Sequence, residues 1–134
     1  VLSALIKDST TRKIILKSGL ELYFPEPSLH KIRKYKNYIL EKSDLEEREY
    51  DEILARLFKY IKIIPTEEIS KNWDEAKKII GHIDQEDIIF IASALNLDSS
   101  VIWSEDAHFD KQNRVKIFKT KDLIKLFGFF DASK

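Results

Sequence analysis

Apolar and polar positions along this chain switch between a spacing of three to four residues and a spacing of two, as expected of helices interleaved with short strands. Residues 1–6 are nearly all apolar and predict a helical opening. Thr10 or Thr11 can cap a second short helix, and Gly19 is placed to end it. Residues 20–24 (Leu-Glu-Leu-Tyr-Phe) alternate as a strand does until Pro25 and Pro27 stop them. Ser28 then opens a basic helix reaching about Lys42. Ser43-Asp44-Leu45-Glu46 has the Ser-x-x-Glu form of a capping box and predicts a longer helix to about Tyr60. Residues 62–64 form a brief strand ended by Pro65, Thr66 caps a helix over 67–80, and Gly81 closes it. An apolar helix follows Asp84, then strands at 101–103 and 115–118, then a last helix from Thr120 to Gly128. Strands separated by helices predict a parallel sheet covered on both faces.

The densest chemistry lies in residues 84–109, DQEDIIFIASALNLDSSVIWSEDAHF. Asp84 and Asp87 are three residues apart at the mouth of the apolar helix, so they share its first turn and face the same way. Asp106 follows the apolar strand 101–103, with Glu105 beside it. In open α/β sheets, ligands gather where the carboxyl ends of strands meet helix starts. Carboxylates collected there commonly hold a hard divalent cation. Metal-assisted chemistry on a phosphodiester is therefore the sharpest reading of the pattern.

Composition narrows the field. The 134 residues suit one domain able to bury its own core. With no cysteine there is no disulfide frame, no thiolate zinc site and no thiol nucleophile, and a reducing, cytoplasmic setting fits. No apolar run approaches the roughly 18 residues of a membrane helix, so no membrane role is expected. Abundant Lys, Glu and Ile, with glutamine only at Gln85 and Gln112, lean toward a thermophile's protein.

The net charge of zero hides a segregation. Residues 1–42 carry 9 Lys/Arg against 4 Asp/Glu, residues 43–110 carry 7 against 17, and residues 111–134 carry 7 against 2. An acidic middle between basic ends suits a metal site framed by phosphate-binding cations, or simply solvated helix faces. Lys31, Arg33, Lys34 and Lys36, interleaved with Tyr35 and Tyr38, are the candidate nucleic-acid contacts. The plainer reading of the same run is a solvated helix whose tyrosines pack inward. Overall neutrality argues against strong nonspecific nucleic-acid binding.

In order and spacing, Asp84-x-x-Asp87, an apolar helix containing Ala92 and Ala94, and Ile102-Trp103-Ser104-x-Asp106-x-His108-Phe109 resemble the C-terminal half of a PIN domain. Val1-Leu2-Ser3-Ala4-Leu5 is similar to the segment after that family's first strand. Pro25-Glu26 and Thr120-Lys121-Asp122-Leu123 sit where the family has similar turns, so the resemblance spans nearly the whole chain. It implies a three-layer α/β/α sandwich with a central parallel sheet, as a single domain over residues 1–134. It also implies a ribonuclease site for single-stranded RNA, with Asp87 and Asp106, supported by Asp84, holding Mg²⁺ or Mn²⁺. Stand-alone archaeal and bacterial relatives are often toxins, which implies an antitoxin protein as partner.

Two positions depart from the family pattern. Its first acid falls before Val1, so the natural protein is expected to begin upstream or to close the gap by a dimer contact. Its second acid, a Glu in the helix after Pro25-Glu26, matches His30 and Lys31 by spacing. A lysine there opposes cation binding. His30 could act as a ligand, imidazole suiting Mn²⁺ better than Mg²⁺, and Glu26 could reach inward from one turn earlier. The rival to an enzyme is a catalytically degenerate PIN-like domain that binds RNA or protein. A small-molecule phosphatase ranks lower, because no Asp-x-Asp nucleophile motif is present.

Each side chain has a structural alternative. Asp84 can serve as a helix N-cap, with Glu86 and Asp87 complementing the helix dipole. Asp110 reads as a fourth ligand or a loop cap, Asp98 as a turn residue, Glu105 as solvent-facing and His82 as a helix-end residue. His108, two residues after Asp106, could approach a phosphate or a metal-bound water. Trp73 and Trp103 belong to a core or an interface. The apolar tail from Leu126 to Phe130 suggests docking or a subunit contact, hence a homodimer.

Overall fold

A computed structural model describes residues 9–127 of the chain, which divides into two compact units, Val1–Ile63 and Ile64–Lys134. The helix expected over residues 1–6 and the tail beyond residue 127 lie outside the described residues.

In the first unit, α1 (Ser9–Lys17) buries Ile14 and Ile15 and gives way to Gly19, whose φ of +74° only glycine adopts freely. β1 (Leu22–Pro25) follows, two residues later than its alternation suggested, and a 3-10 turn (Glu26–Ser28) leads on. The basic helix expected to run unbroken to Lys42 is two helices, α2 (Leu29–Lys34) and α3 (Lys36–Lys42). Tyr35 parts them at φ −96° and ψ 7°. Between the buried Ile32 and Ile39 the sequence is polar or exposed, so no continuous packed stripe enforces a straight helix.

The expected capping box is displaced by one motif. Ser43 closes α3 instead, its hydroxyl donating to the Ile39 carbonyl at 2.7 Å. Glu46 takes the N-cap of α4 (Glu47–Phe58) and completes a capping box with Glu49. α1 packs against α4, and Phe24 meets Phe58 edge to face at 6.0 Å. β1 pairs with β2 (Ile61–Ile64).

In the second unit, the helix expected over 67–80 is broken at Lys71 and Asn72 into α5 (Thr66–Ser70) and α6 (Trp73–Ile80). Pro65, fixed in extended geometry, takes the N-cap expected of Thr66; its carbonyl accepts from Glu68 and Ile69. Asn72, a residue that competes with helical bonding, both ends one helix and starts the next: its N–H reaches Ile69 and its carbonyl accepts from Ala76. Gly81 ends α6 by close approach, since a Cβ there would stand 2.6 Å from the Lys77 carbonyl oxygen.

A 3-10 turn (Gln85–Asp87) then opens α7 (Ile88–Asn96), which is apolar nearly all round and buries Ile88, Ile91 and Ala92. α6 and α7 form the main packing pair, joined in one core by Ile64, Ile69, Ala76, Ile80, Ile102, Phe109 and Val115. β3 (Ile102–Trp103) and β4 (Ile117–Phe118) run parallel, with Ile102 beside Ile117 and Trp103 beside Phe118. A 3-10 turn (Ala107–Lys111) lies between them and α8 (Thr120–Phe127) follows. The four expected strands are thus present as two pairs: β1 is shifted along the chain, β2 covers its expected residues and adds Ile61, and β3 and β4 are shorter than expected.

Candidate metal centre

The acidic group is assembled within the second unit from two short turns. The first is the 3-10 turn ahead of α7. Asp84 is its N-cap, with Oδ1 accepting from the Glu86 N–H at 2.9 Å. Its other oxygen, Oδ2, faces His108, so the cap and the contact with the acidic group use separate oxygens. A 3-10 turn repeats every three residues, which brings Asp87 into line with Asp84. Asp87 is only 6% exposed, since it leads directly into the core helix.

The second turn carries Asp106 and His108. Asp106 caps it, Oδ1 accepting from the His108 N–H at 2.9 Å, and the Asp106 N–H donates to Ser104 Oγ at 3.0 Å. Phe109 anchors the turn: it is buried and meets Phe90 of α7 edge to face at 6.2 Å. Gln112 ties down the far side, its amide donating to the Phe109 and Val115 carbonyls while its Oε1 accepts from the Arg114 and Val115 N–H groups.

The two turns meet at His108. Its Nδ1 lies 3.0 Å from Asp84 Oδ2, 3.3 Å from Asp106 Oδ1 and 3.5 Å from Asp87 Oδ2. The longest of these is an ion-pair distance rather than a hydrogen bond, and Asp87 Oδ2 has no hydrogen-bond partner among the described residues. A buried carboxylate oxygen without a donor is costly unless a cation completes it. Burial pushes the Asp87 carboxyl above the usual range, Asp84 and Asp106 push it further, and His108 pulls it back.

Asp84, Asp87 and His108 each present one donor atom, all within 4.8 Å of one another, a spread that one divalent ion spans. Asp106 is not among those three; it joins the group through its contact with the imidazole. The residues present therefore fit a divalent metal.

A family model described as PIN domain matches residues 1–123. The chain belongs to the PIN-domain family. That membership carries an α/β fold, a nuclease-type function and a general use of divalent metals. No curated protein and no solved structure matched the chain. No helix among the described residues is long and apolar enough to cross a membrane.

Lys31, Arg33, Lys34 and Lys36 all belong to the first unit, on α2 and α3. Lys36 is engaged there, with its ammonium 2.9 Å from Glu47 and 3.1 Å from Asp51. Tyr35 and Tyr38 do not pack inward: they are 40% and 53% exposed, with the ammonium groups of Lys34 and Lys42 against their rings. His30 Nδ1 bonds the Pro27 carbonyl at 2.6 Å, and Glu26 is exposed.

In the second unit, Asp110 pairs with Lys119 at 3.2 Å, Asp98 lies in a turn, and His82 lies in the turn after α6. Trp103 is half-buried with its indole N–H on Thr120 Oγ1, while Trp73 is exposed. Glu105 is exposed, as its solvent-facing reading expects, and its carboxylate also accepts from the Thr120 N–H. Sequence reasoning undervalued His108 and gave Gln112 no role. The only local signal for His108 was its place two residues after Asp106.

Proposed function

We propose that the chain is a metal-dependent endoribonuclease of PIN type that cleaves single-stranded RNA, with Asp84, Asp87 and Asp106 around Mg²⁺ or Mn²⁺. The observation that carries this reading is the buried, unpartnered Asp87 Oδ2 facing two further carboxylates from separate turns. A divalent ion held by Asp84, Asp87 and Asp106 would supply neutralisation of phosphate charge and a more acidic water. The chain's own contribution is placement. Asp87 supplies a charge that the apolar core keeps from relaxing, and Asp84 and Asp106 aim one oxygen each while the same side chains cap their turns. Lys31, Arg33, Lys34 and Lys36 are the proposed phosphate contacts. To the same reading belong a single domain over residues 1–134, a three-layer α/β/α sandwich with a central parallel sheet, a toxin-like role with an antitoxin partner, a homodimer and a cytoplasmic location.

A labelled single-stranded RNA, incubated with the chain in Mn²⁺, Mg²⁺ or EDTA beside Asp87→Asn, tests it. Cutting should require the metal and disappear in the variant while its circular dichroism is unchanged. Undiminished turnover in Asp87→Asn would remove Asp87 from the chemistry. One observation favours a second reading, a binding module that does not cut. His30, at the position matched to the family's second acid, is tied to a backbone carbonyl, and Lys31 brings a positive charge beside it. RNA binding in EDTA, with no cutting in any metal, would select that reading.

A further inference from the structure

The centre is not built from carboxylates alone. Three carboxylate oxygens surround one imidazole nitrogen at 3.0 to 3.5 Å, and the compact donor trio is two oxygens and that nitrogen. Donor atoms around one ion with bonds of about 2.0–2.2 Å lie about 3 to 4.4 Å apart, so the trio needs little adjustment to close on a cation. The histidine is held for the purpose. Its backbone N–H is fixed by Asp106, the next residue is buried against Phe90, and the Gln112 amide fastens that residue's carbonyl. About half of the imidazole side chain remains open to solvent, leaving room for further ligands on the exposed side.

We infer that His108 is a nitrogen ligand of the centre, and that Asp84, Asp87 and His108 together select a transition-metal dication such as Mn²⁺ or Co²⁺ over Mg²⁺. This rests on the reading of the acidic group as the metal centre. The chemical reason is donor preference. Mg²⁺ takes oxygen donors and dehydrates reluctantly, whereas imidazole favours first-row transition ions with rising affinity along the series. In this arrangement Asp106 acts as a positioning residue through the backbone, its Oδ1 accepting from the His108 N–H and fixing the turn that carries the imidazole.

The test is calorimetric titration of the full chain with MnCl₂, CoCl₂ and MgCl₂, beside His108→Ala and Asp87→Asn, and an electron spin-echo spectrum of the Mn²⁺-loaded protein. Wild type should bind Mn²⁺ and Co²⁺ at least about tenfold more tightly than Mg²⁺ and show nitrogen-14 modulation from a bound imidazole. His108→Ala should lose the modulation and most of that preference, with Mg²⁺ affinity nearly unchanged. Cation binding that Asp87→Asn abolishes, but without nitrogen modulation and with equal losses of Mn²⁺ and Mg²⁺ in His108→Ala, would overturn the inference and leave the centre standing. No cation binding by wild type, or binding indifferent to Asp87→Asn, would overturn both. The wild-type spectrum decides the nitrogen ligand even if a variant fails to fold.

Discussion

Glu105 Oε1 accepts a hydrogen bond from the backbone N–H of Thr120 at 2.6 Å. The residue directly before Asp106 is thereby tied to the first residue of α8, where unpaired amides and the positive end of the helix dipole favour an anion. Trp103 reinforces the link from β3, its indole N–H donating to Thr120 Oγ1 at 3.0 Å. The stretch that delivers Asp106 and His108 is therefore pinned at both ends, by α8 before Asp106 and by the buried Phe109 after His108.

Glu105→Ala should cost about 1 kcal/mol, the scale of a lost helix cap, and lower the melting temperature by a few degrees. Because the pinned stretch carries Asp106 and His108 of the proposed centre, the same variant should also weaken divalent-ion binding, whereas a substitution at the exposed Glu86 should not. Melts and metal titrations of the two variants check this. An unchanged metal affinity in Glu105→Ala would reduce the bond to a purely structural one.

Asp87 makes the metal-free protein sensitive to pH in a definite direction. Burial, then the neighbouring Asp84 and Asp106, hold its proton more tightly in the folded state than in the unfolded chain. The folded state therefore binds more protons in the window between the ordinary carboxylate value and the raised one. Stability falls as pH rises through that window and stays reduced above it. In EDTA, Asp87→Asn should equal wild type or exceed it in stability at neutral pH, and the difference should shrink as pH drops below the window. Urea melts of both proteins across pH give the comparison. A difference that does not change with pH would show that Asp87 carries no strain of charge.

What the sequence disclosed and what it hid divide along the reach of the interactions. Asp84 and Asp87 were legible because a turn of three residues is a local matter, and Asp106 because it follows a short apolar strand. Family membership was legible for the same reason, in short motifs in a fixed order. The convergence of three carboxylates on His108 joins a turn that precedes α7 in the chain to one that follows β3, and no periodicity reports that. The bond from Glu105 to Thr120 and the clamp by Gln112 depend on where a loop folds back. Helix breaks at Tyr35 and Asn72 escaped because capping signals mark where helices can start, while packing decides whether they continue. Strands of two residues, as at β3 and β4, leave too little alternation for their bounds to be read.

Tyr50 joins α4 to α2 from inside the first unit. It is 1% exposed and its hydroxyl donates to the Ile32 carbonyl at 3.2 Å. Removing the hydroxyl leaves that acceptor without its donor in a closed site, a net loss of about 1 kcal/mol. Tyr50→Phe should accordingly lower the melting temperature by about 4 °C while metal binding at Asp84 and Asp87 stays as in wild type. A variant as stable as wild type would mean that the Ile32 carbonyl finds water instead.

The basic face offers a graded test of RNA contact. Lys36 lies between Glu47 and Asp51 with its ammonium over the Tyr50 ring, so recruiting it to a phosphate would break two ion pairs. Arg33 is exposed, and Lys34 carries an exposed aromatic neighbour, Tyr35, on which a base can stack. Each phosphate contact on a single strand contributes about 0.7 to the slope of log affinity against log salt. Arg33→Ala and Lys34→Ala should each weaken binding of a labelled single-stranded RNA several-fold and flatten the salt slope by about that amount. Lys36→Ala should have the smaller effect on both, because its ion pairs must open before it meets a phosphate, and Tyr35→Ala should weaken binding while leaving the slope alone. Fluorescence anisotropy in EDTA across a salt series separates these outcomes without cleavage intervening. If Lys36→Ala proves the most damaging of the set, its ion pairs open on binding and the engaged lysine is the true contact.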